Sequence, residues 1–416
     1  MTSPDNAALP DATAPQSIAP LAILALSLAA FGSGVSQRVT DALLPRLAAE
    51  FNVSLGAASW VITIFTIGYG LNQLFFGPLG DRFGKFLVIA WACLACSFAA
   101  LLCALAPGFD LLLAARLVAG AMAAAMIPLA MAWIGDVVPY ERRQPVLARF
   151  LIGQIVGVSA GQLLGGFAAD YLGWRVPFFA LALFFLAVSV VLFSVRRGLP
   201  AHALARHQVE GHALKRMFDE FAQVLAQPWA RVVIFTVFLE GAFMFGAFAF
   251  IATHLHHAHG IALSQAGAIV MLFGLGGFIF ATSSARLVEK LGETGLARWG
   301  GVVLLVSLLA IALPWKWWWA VPACFCLGLG FYMLHNTLQT NATQMAPERR
   351  GAAVSAFALS YFLGQSAGLA LAGLVVERIG TGGVIAAGGI GVVIVALNFA
   401  RLKMGHGLKQ TADARW

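Results

Sequence analysis

Long apolar blocks of about 20 residues or more, separated by short clusters of Gly, Pro, Arg and Lys, dominate the pattern along this chain. At about 1.5 Å of rise per residue, such a block crosses a hydrocarbon core of about 30 Å as a helix. Strand-length alternation is absent, which excludes a barrel. The blocks predict spans near residues 18 to 46, 57 to 80, 86 to 107, 109 to 136, 144 to 171 and 173 to 195, then 231 to 256, 262 to 286, 295 to 314, 318 to 346, 351 to 377 and 381 to 402. The longest polar stretch separates six spans from six. Within it Ala213, Met217, Phe221 and Leu225 recur every four residues, which predicts an amphipathic surface helix.

The expected organisation is therefore all-α: a disordered tail (1–17), a six-helix bundle (18–195), a linker (196–230), a second bundle (231–402) and a tail (403–416). The leader has no Lys or Arg, so it lacks the basic start of a signal peptide, and the first span is expected to be retained.

Composition agrees with the membrane reading: 60% of residues are hydrophobic and 11% charged, against about half and a quarter in soluble proteins. With the N-terminus inside, 20 of the 26 Lys and Arg fall on the inner side, so both termini are expected in the cytoplasm. The net charge of +8 then reflects topology and anionic lipid, with no nucleic-acid partner implied. The run PWKWWWAVP (314–322) reads as an interfacial aromatic belt. Cys93, Cys96, Cys103, Cys324 and Cys326 lie at membrane depth and read as packing residues. The histidines of THLHHAHG (253–260), from His254 to His259, read as part of an interfacial loop, with metal binding as the alternative. No metal or cofactor is expected.

The cluster GPLGDRFGK (77–85) has an echo 208 residues on, where Glu289, Lys290 and Gly292 stand in place of Asp81, Arg82 and Gly84. The same shift carries Pro139 to Pro347 and Arg142 to Arg350, and GQIVG (153–157) recurs as GQSAG (364–368). Three echoes in chain order imply two homologous halves, a signature of transporters.

The pattern GxLxDRxGK between spans two and three resembles the signature loop of the major facilitator superfamily, and the resemblance covers essentially the whole chain. TDALLP, FLEGAFMFGAFAF and GLGFYMLHNTLQTNATQMAPERRGAA are similar to the twelve-helix drug:proton antiporter branch and its arabinose-efflux-permease-like exporters. The resemblance implies a latch on the inner side, with Asp81 against the start of span eleven and Arg82 paired with Asp136. A carboxylate at a helix N-terminus gains about 0.3–2 kcal/mol, which suits a clasp that must reopen. Gly77, Gly80 and Gly84 permit close approach and Lys85 completes the cluster. Glu289 faces the start of span five in a weaker second latch, because Gln344 replaces the acid and Ala285 the glycine. Phe86 stands where the family usually has a basic residue.

Gly153, Gly157, Gly161 and Gly165 fall on one face of span five. This stripe resembles the antiporter motif gxxxGPxxGG, but Gln162 replaces its proline, and small-residue helix packing explains the stripe equally well.

By helical rise, Asp41 lies about 8 Å and Arg116 about 10 Å below the outer surface, Glu240 about 14 Å and His335 about 16 Å above the inner one. A charge facing lipid costs about 2.5–3.5 kcal/mol on insertion scales, so these groups are expected to face the protein interior. The family architecture implies that spans one, four, seven and ten line a central cavity. There Asp41 and Arg116 can pair, with Arg38 one turn away; Arg116 also matches the family's RxxxG motif, although Ala119 replaces a glutamine. Asp41, Arg116, Glu240 and His335 are the proton-coupling candidates, and Arg38, Phe243, Asn336 and Gln339 the substrate-binding candidates. The alternative for the charged groups is a set of fixed interhelical pairs.

The expected function is proton-coupled efflux of a small amphipathic molecule across a bacterial inner membrane by a functional monomer. A proton-linked importer of a sugar or other metabolite is the first alternative. A membrane-embedded enzyme or a non-transporting sensor is the second, against which no nucleophile and base or metal-ligand set meets at one depth.

Overall fold

Five glycines with positive φ turn the chain where a side chain would be strained: Gly84 (φ 94°), Gly173 (φ 88°), Gly260 (φ 68°), which ends span seven, Gly292 (φ 63°) and Gly380 (φ 72°). Gly84 and Gly292 separate spans two from three and eight from nine. Gly173 and Gly380 separate five from six and eleven from twelve. The computed structural model describes residues 20–204, 213–314 and 316–413; the expected disordered leader and Trp315 lie outside them. Among these residues the chain is helical, with no strand.

The first bundle comprises Pro20–Arg38, Leu55–Phe83, Lys85–Leu105, Phe109–Val137, Tyr140–Leu172 and Val176–Arg196, spans one to six. The second comprises Pro228–His259, Leu263–Ala312, Trp317–Gln344 and Pro347–His406. Since Leu263–Ala312 folds back at Gly292 and Pro347–His406 at Gly380, these four segments supply spans seven to twelve. The end of the molecule carrying the 77–85 turn is called the basic end, and the other the far end.

Each bundle is built on the same contact. A Cβ on Gly153 would lie 2.4 Å from the Ser27 carbonyl oxygen, and one on Gly157 2.2 Å from that of Phe31. The second bundle repeats this contact 211 residues on, where a Cβ on Gly364 would lie 2.0 Å from the Phe238 carbonyl oxygen and one on Gly368 2.0 Å from that of Ala242. Gly161 and Gly165 continue the first contact onto Val35 and Val39. Span five thus lies backbone to backbone on span one, and span eleven on span seven, the close approach that small residues allow where apolar burial supplies no drive.

The bundles join through two further helix pairs, spans five with eight and two with eleven. Toward the far end these pairs also touch through glycine, with Gly166 against Leu263, Gly267 against Gln162, and Gly56 against Gly373. At the basic end the positions of Gly77 and Gly351 face open space. The bundles therefore meet at the far end and part toward the basic end.

Span one is not continuous, as the pattern predicts, but stops at Arg38, turns through Val39–Leu43 and resumes as Leu44–Phe51. Pro45 accounts for the break: it has no N–H for the Asp41 carbonyl, and its ring crowds that group. Span seven breaks at the corresponding place, between Phe248 and Ile251.

The THLHHAHG stretch is helical over Ile251–His259 rather than a loop. His254 meets the Thr381 hydroxyl at 2.9 Å and His256 the Ile261 carbonyl at 2.8 Å. Among the described residues no group of three or more His, Cys, Asp or Glu is arranged to hold a metal.

The linker helix is Ala213–Ala226. Its anchor is Val224, fully buried, whereas Leu225 of the expected stripe is 45% exposed. The expected tail after residue 402 continues the last helix to Asp413.

We expect Gly157→Ala to lower the thermal stability of the detergent-purified protein by about 1–3 kcal/mol, since the added methyl meets backbone that cannot yield. Gly135→Ala, where nothing lies within 4 Å, is expected to be neutral or slightly stabilising; equal effects of the two would contradict the packing argument.

Candidate functional site

The break in span one places Asp41, only 1% exposed, in the interior. Its Oδ2 accepts a 2.7 Å hydrogen bond from Gln162 Nε2 and lies 3.7 Å from Arg38 Nη1. A proline at residue 162, as in the family motif, has no side-chain amide to make that bond. Arg38 in turn crosses to the other bundle: its Nη2 donates to Gln365 Oε1 at 3.1 Å, and its guanidinium sits 4.2 Å from the Phe245 ring centre. Arg38, Gln162 and Gln365 are all buried. A desolvated cation over an aromatic face is worth about 2 kcal/mol, so this contact helps to plug the interior beneath the far end.

Arg116 does not pair with Asp41 as expected. It donates to the carbonyls of Ser36 at 2.9 Å and Val61 at 3.1 Å and to Thr40 Oγ1 at 3.4 Å, with the Phe65 ring centre 4.1 Å away. The Ser36 carbonyl is available because helix one ends two residues after it. Arg116 therefore ties spans one, two and four together.

The second buried acid, Glu240, is 0% exposed and bonds through Oε2 to His335 Nδ1 at 2.8 Å. The imidazole is packed among Phe331, Phe357 and Tyr361, with ring centres 5.0, 5.5 and 4.7 Å away. His335 and Asn336 are partly accessible and Gln339, one turn further along span ten, is exposed. Phe243 is not with them. Its ring packs where a Cβ on Gly391 of span twelve would lie, at 2.2 Å. Phe245 and Phe248, whose ring centres lie 4.2 and 5.4 Å from the Arg38 guanidinium, are aromatic residues of span seven at the site.

Both buried acids leave one oxygen, Asp41 Oδ1 and Glu240 Oε1, without a hydrogen bond. An incompletely satisfied buried carboxylate is costly, and groups kept at that cost are candidates for a functional role.

At the basic end Lys85, not Arg82, pairs with Asp136, at 2.5 Å, and it also lies 3.6 Å from Asp81. The Arg82 guanidinium lies 5.2 Å from the Phe83 ring centre. The lysine wins because Gly84 turns the chain so that Lys85 begins span three beside span four, whereas Arg82 belongs to the end of span two. Gly80 supports this junction by packing against Leu129 of span four. Glu289 is exposed. In the second bundle Lys403 pairs with Glu293 and donates to Asn341 Oδ1 at 2.7 Å, so a different set of residues ties span nine to twelve.

Two far-end acids were not singled out from the sequence. Asp170 Oδ2 accepts from the Ser264 backbone N–H at 2.7 Å, and Glu377 Oε1 accepts from that of Gly56 at 3.1 Å. Both bonds cross between bundles. The signal was present: each acid stands three residues before a glycine turn, and the acids are 207 residues apart, close to the repeat of the motifs.

Twelve spans in two related bundles, parted at one end around buried charges, define a multi-pass membrane transporter. The chain belongs to the Major Facilitator Superfamily, whose sequence model matches residues 26–369. It is 27% identical over 355 residues to the uncharacterized MFS-type transporter YceJ of Bacillus subtilis (strain 168), covering 83% of this chain and 87% of that protein. It is 26% identical over 294 residues to a chloramphenicol resistance protein of Streptomyces lividans, covering 71% and 73%. The solved structure of the nucleoside transporter NupG shares the fold at a TM-score of 0.74, with 15% identity over 91% of this chain and 98% of that one.

Replacing Arg116 by Lys keeps the charge but removes the planar fork that serves several acceptors. The expected result is a loss of about 1–3 kcal/mol in thermal unfolding. A stability unchanged from the parent would contradict the tying role.

Proposed function

We propose that this transporter exports small amphipathic molecules in exchange for protons, working as a monomer by alternating access in a bacterial inner membrane, with the basic end in the cytoplasm. The observation that carries the reading is the Glu240–His335 pair: a fully buried carboxylate bonded to an imidazole that is itself partly accessible. A proton arriving at the imidazole face can neutralise the acid and loosen the pair. Asp41 supplies the counterpart in the first bundle. When it takes a proton, Arg38 loses its ionic partner, and the contacts of Arg38 with Gln365 and Phe245 are among those that must part for the far end to open.

An amphipathic substrate is supported by the aromatic residues around His335 and by an apolar crevice of about 300 Å³ between spans five and eight, lined in part by Ile152, Val156, Leu275 and Phe278. Export is supported by similarity to the chloramphenicol resistance protein, and the position of the lysines and arginines favours a cytoplasmic basic end. Each proton moving inward supplies about 2.3 kcal/mol per 100 mV, enough to drive a useful concentration ratio. Asp81, Arg82 and Glu289 then belong to a clasp that is open in this state and closes the basic end in the other. Gly77 and Gly351 permit the approach.

The test is transport in proteoliposomes under an imposed pH gradient, with a panel of amphipathic compounds that includes chloramphenicol. The parent is expected to move compound and protons in opposite directions, and Asp41→Asn and Glu240→Gln to lose the dependence on the gradient. Movement of both in the same direction would favour import, and normal proton dependence in both variants would remove these residues from coupling.

A further inference from the structure

We infer that Asp170 and Glu377 form twin clasps that hold the far end of the transporter shut. The inference deepens the alternating-access reading and rests on it. The first N–H groups of a helix have no partner within it and carry partial positive charge, so a carboxylate from another element satisfies both needs. Asp170, in the irregular turn Ala168–Leu172 that ends span five, does this for the start of span eight. Glu377, near the end of span eleven, does it for the start of span two. The donors Gly56 and Ser264 are 208 residues apart, so acceptor and donor both follow the internal repeat.

Three features make these bonds specific to one state. Each joins the two bundles, so neither survives separation at the far end. Each sits beside a glycine contact, Gly166 on Leu263 or Gly56 on Gly373, that lets the backbones come close enough for a short acidic side chain to reach. The same helix pairs, five with eight and two with eleven, are those whose basic ends are expected to be clasped by Glu289 and Asp81. Along each pair the acid at the basic end comes from span two or eight, and the acid at the far end from span eleven or five. One rocking motion breaks one set as it makes the other.

The clasps are unequal. The Asp170 side chain is 13% exposed and also lies 3.6 Å from Arg46, whereas Glu377 is exposed to solvent. Water screens the exposed bond more. Asp170 is therefore expected to dominate.

The experiment uses the full chain, with spin labels on cysteines introduced at Tyr171 and Ala258 to report the far end, and at Tyr140 and Val288 to report the basic end. Distance distributions give the ratio of far-open to far-closed molecules. Asp170→Asn is expected to raise that ratio about two- to tenfold, Glu377→Gln less, and the double variant by roughly the product. Asp170→Lys, whose charge opposes the helix terminus, should shift it further, while Asp170→Glu should stay near the parent. A far-end shift with a matching closure at the basic end supports the clasp; a fall in stability with both distributions unchanged overturns it. An unchanged ratio in both the double variant and Asp170→Lys also overturns it. A shift in a protein that moves no compound leaves the clasp standing and removes the transport assignment. Absence of any far-open population in parent and variants overturns both.

Discussion

Backbone-to-backbone approach is the constraint on which the structure depends. Inside a bilayer, apolar side chains gain little by leaving lipid for protein, so helices associate through close packing and polar bonds. Gly153, Gly157, Gly161 and Gly165 provide this for spans one and five, and Gly364 and Gly368 for spans seven and eleven. Once these cores are rigid, the pairs that join the bundles can behave as hinged contacts.

The polar groups divide accordingly. Arg116 is bound to the carbonyls of Ser36 and Val61 within one bundle, so its bonds persist as the bundles move. Arg38 instead reaches from the first bundle to Gln365 and Phe245 in the second. Burial alone does not distinguish the two arginines; the side of the interface on which each finds its partners does.

Much of this was legible in the sequence because it is written in spacing. The apolar blocks set the spans, and the echo of GPLGDRFGK set the repeat, which reappears as the paired turns at Gly84 and Gly292. Side-chain choice was less legible. Lys85 takes Asp136 in place of Arg82 because a turn of the backbone decides which cation faces the acid. Phe243 is lost to span twelve because the absence of a side chain at Gly391 leaves room there for its ring, a contact between distant spans. The break at Asp41 had a sign in Pro45, whose effect falls four residues earlier. The service of Gln162 to Asp41 lies in a contact between distant spans, which no local pattern encodes.

The linker has a mechanical consequence. Its start is pinned to the first bundle by Trp133, whose indole donates to the Ala203 carbonyl at 2.8 Å, and its end to the second by the buried Val224. Each bundle therefore carries one anchor of the linker, and a swing of one bundle against the other must change the separation of the two anchors, which makes that separation a gauge of the stroke taken far from any group that handles cargo.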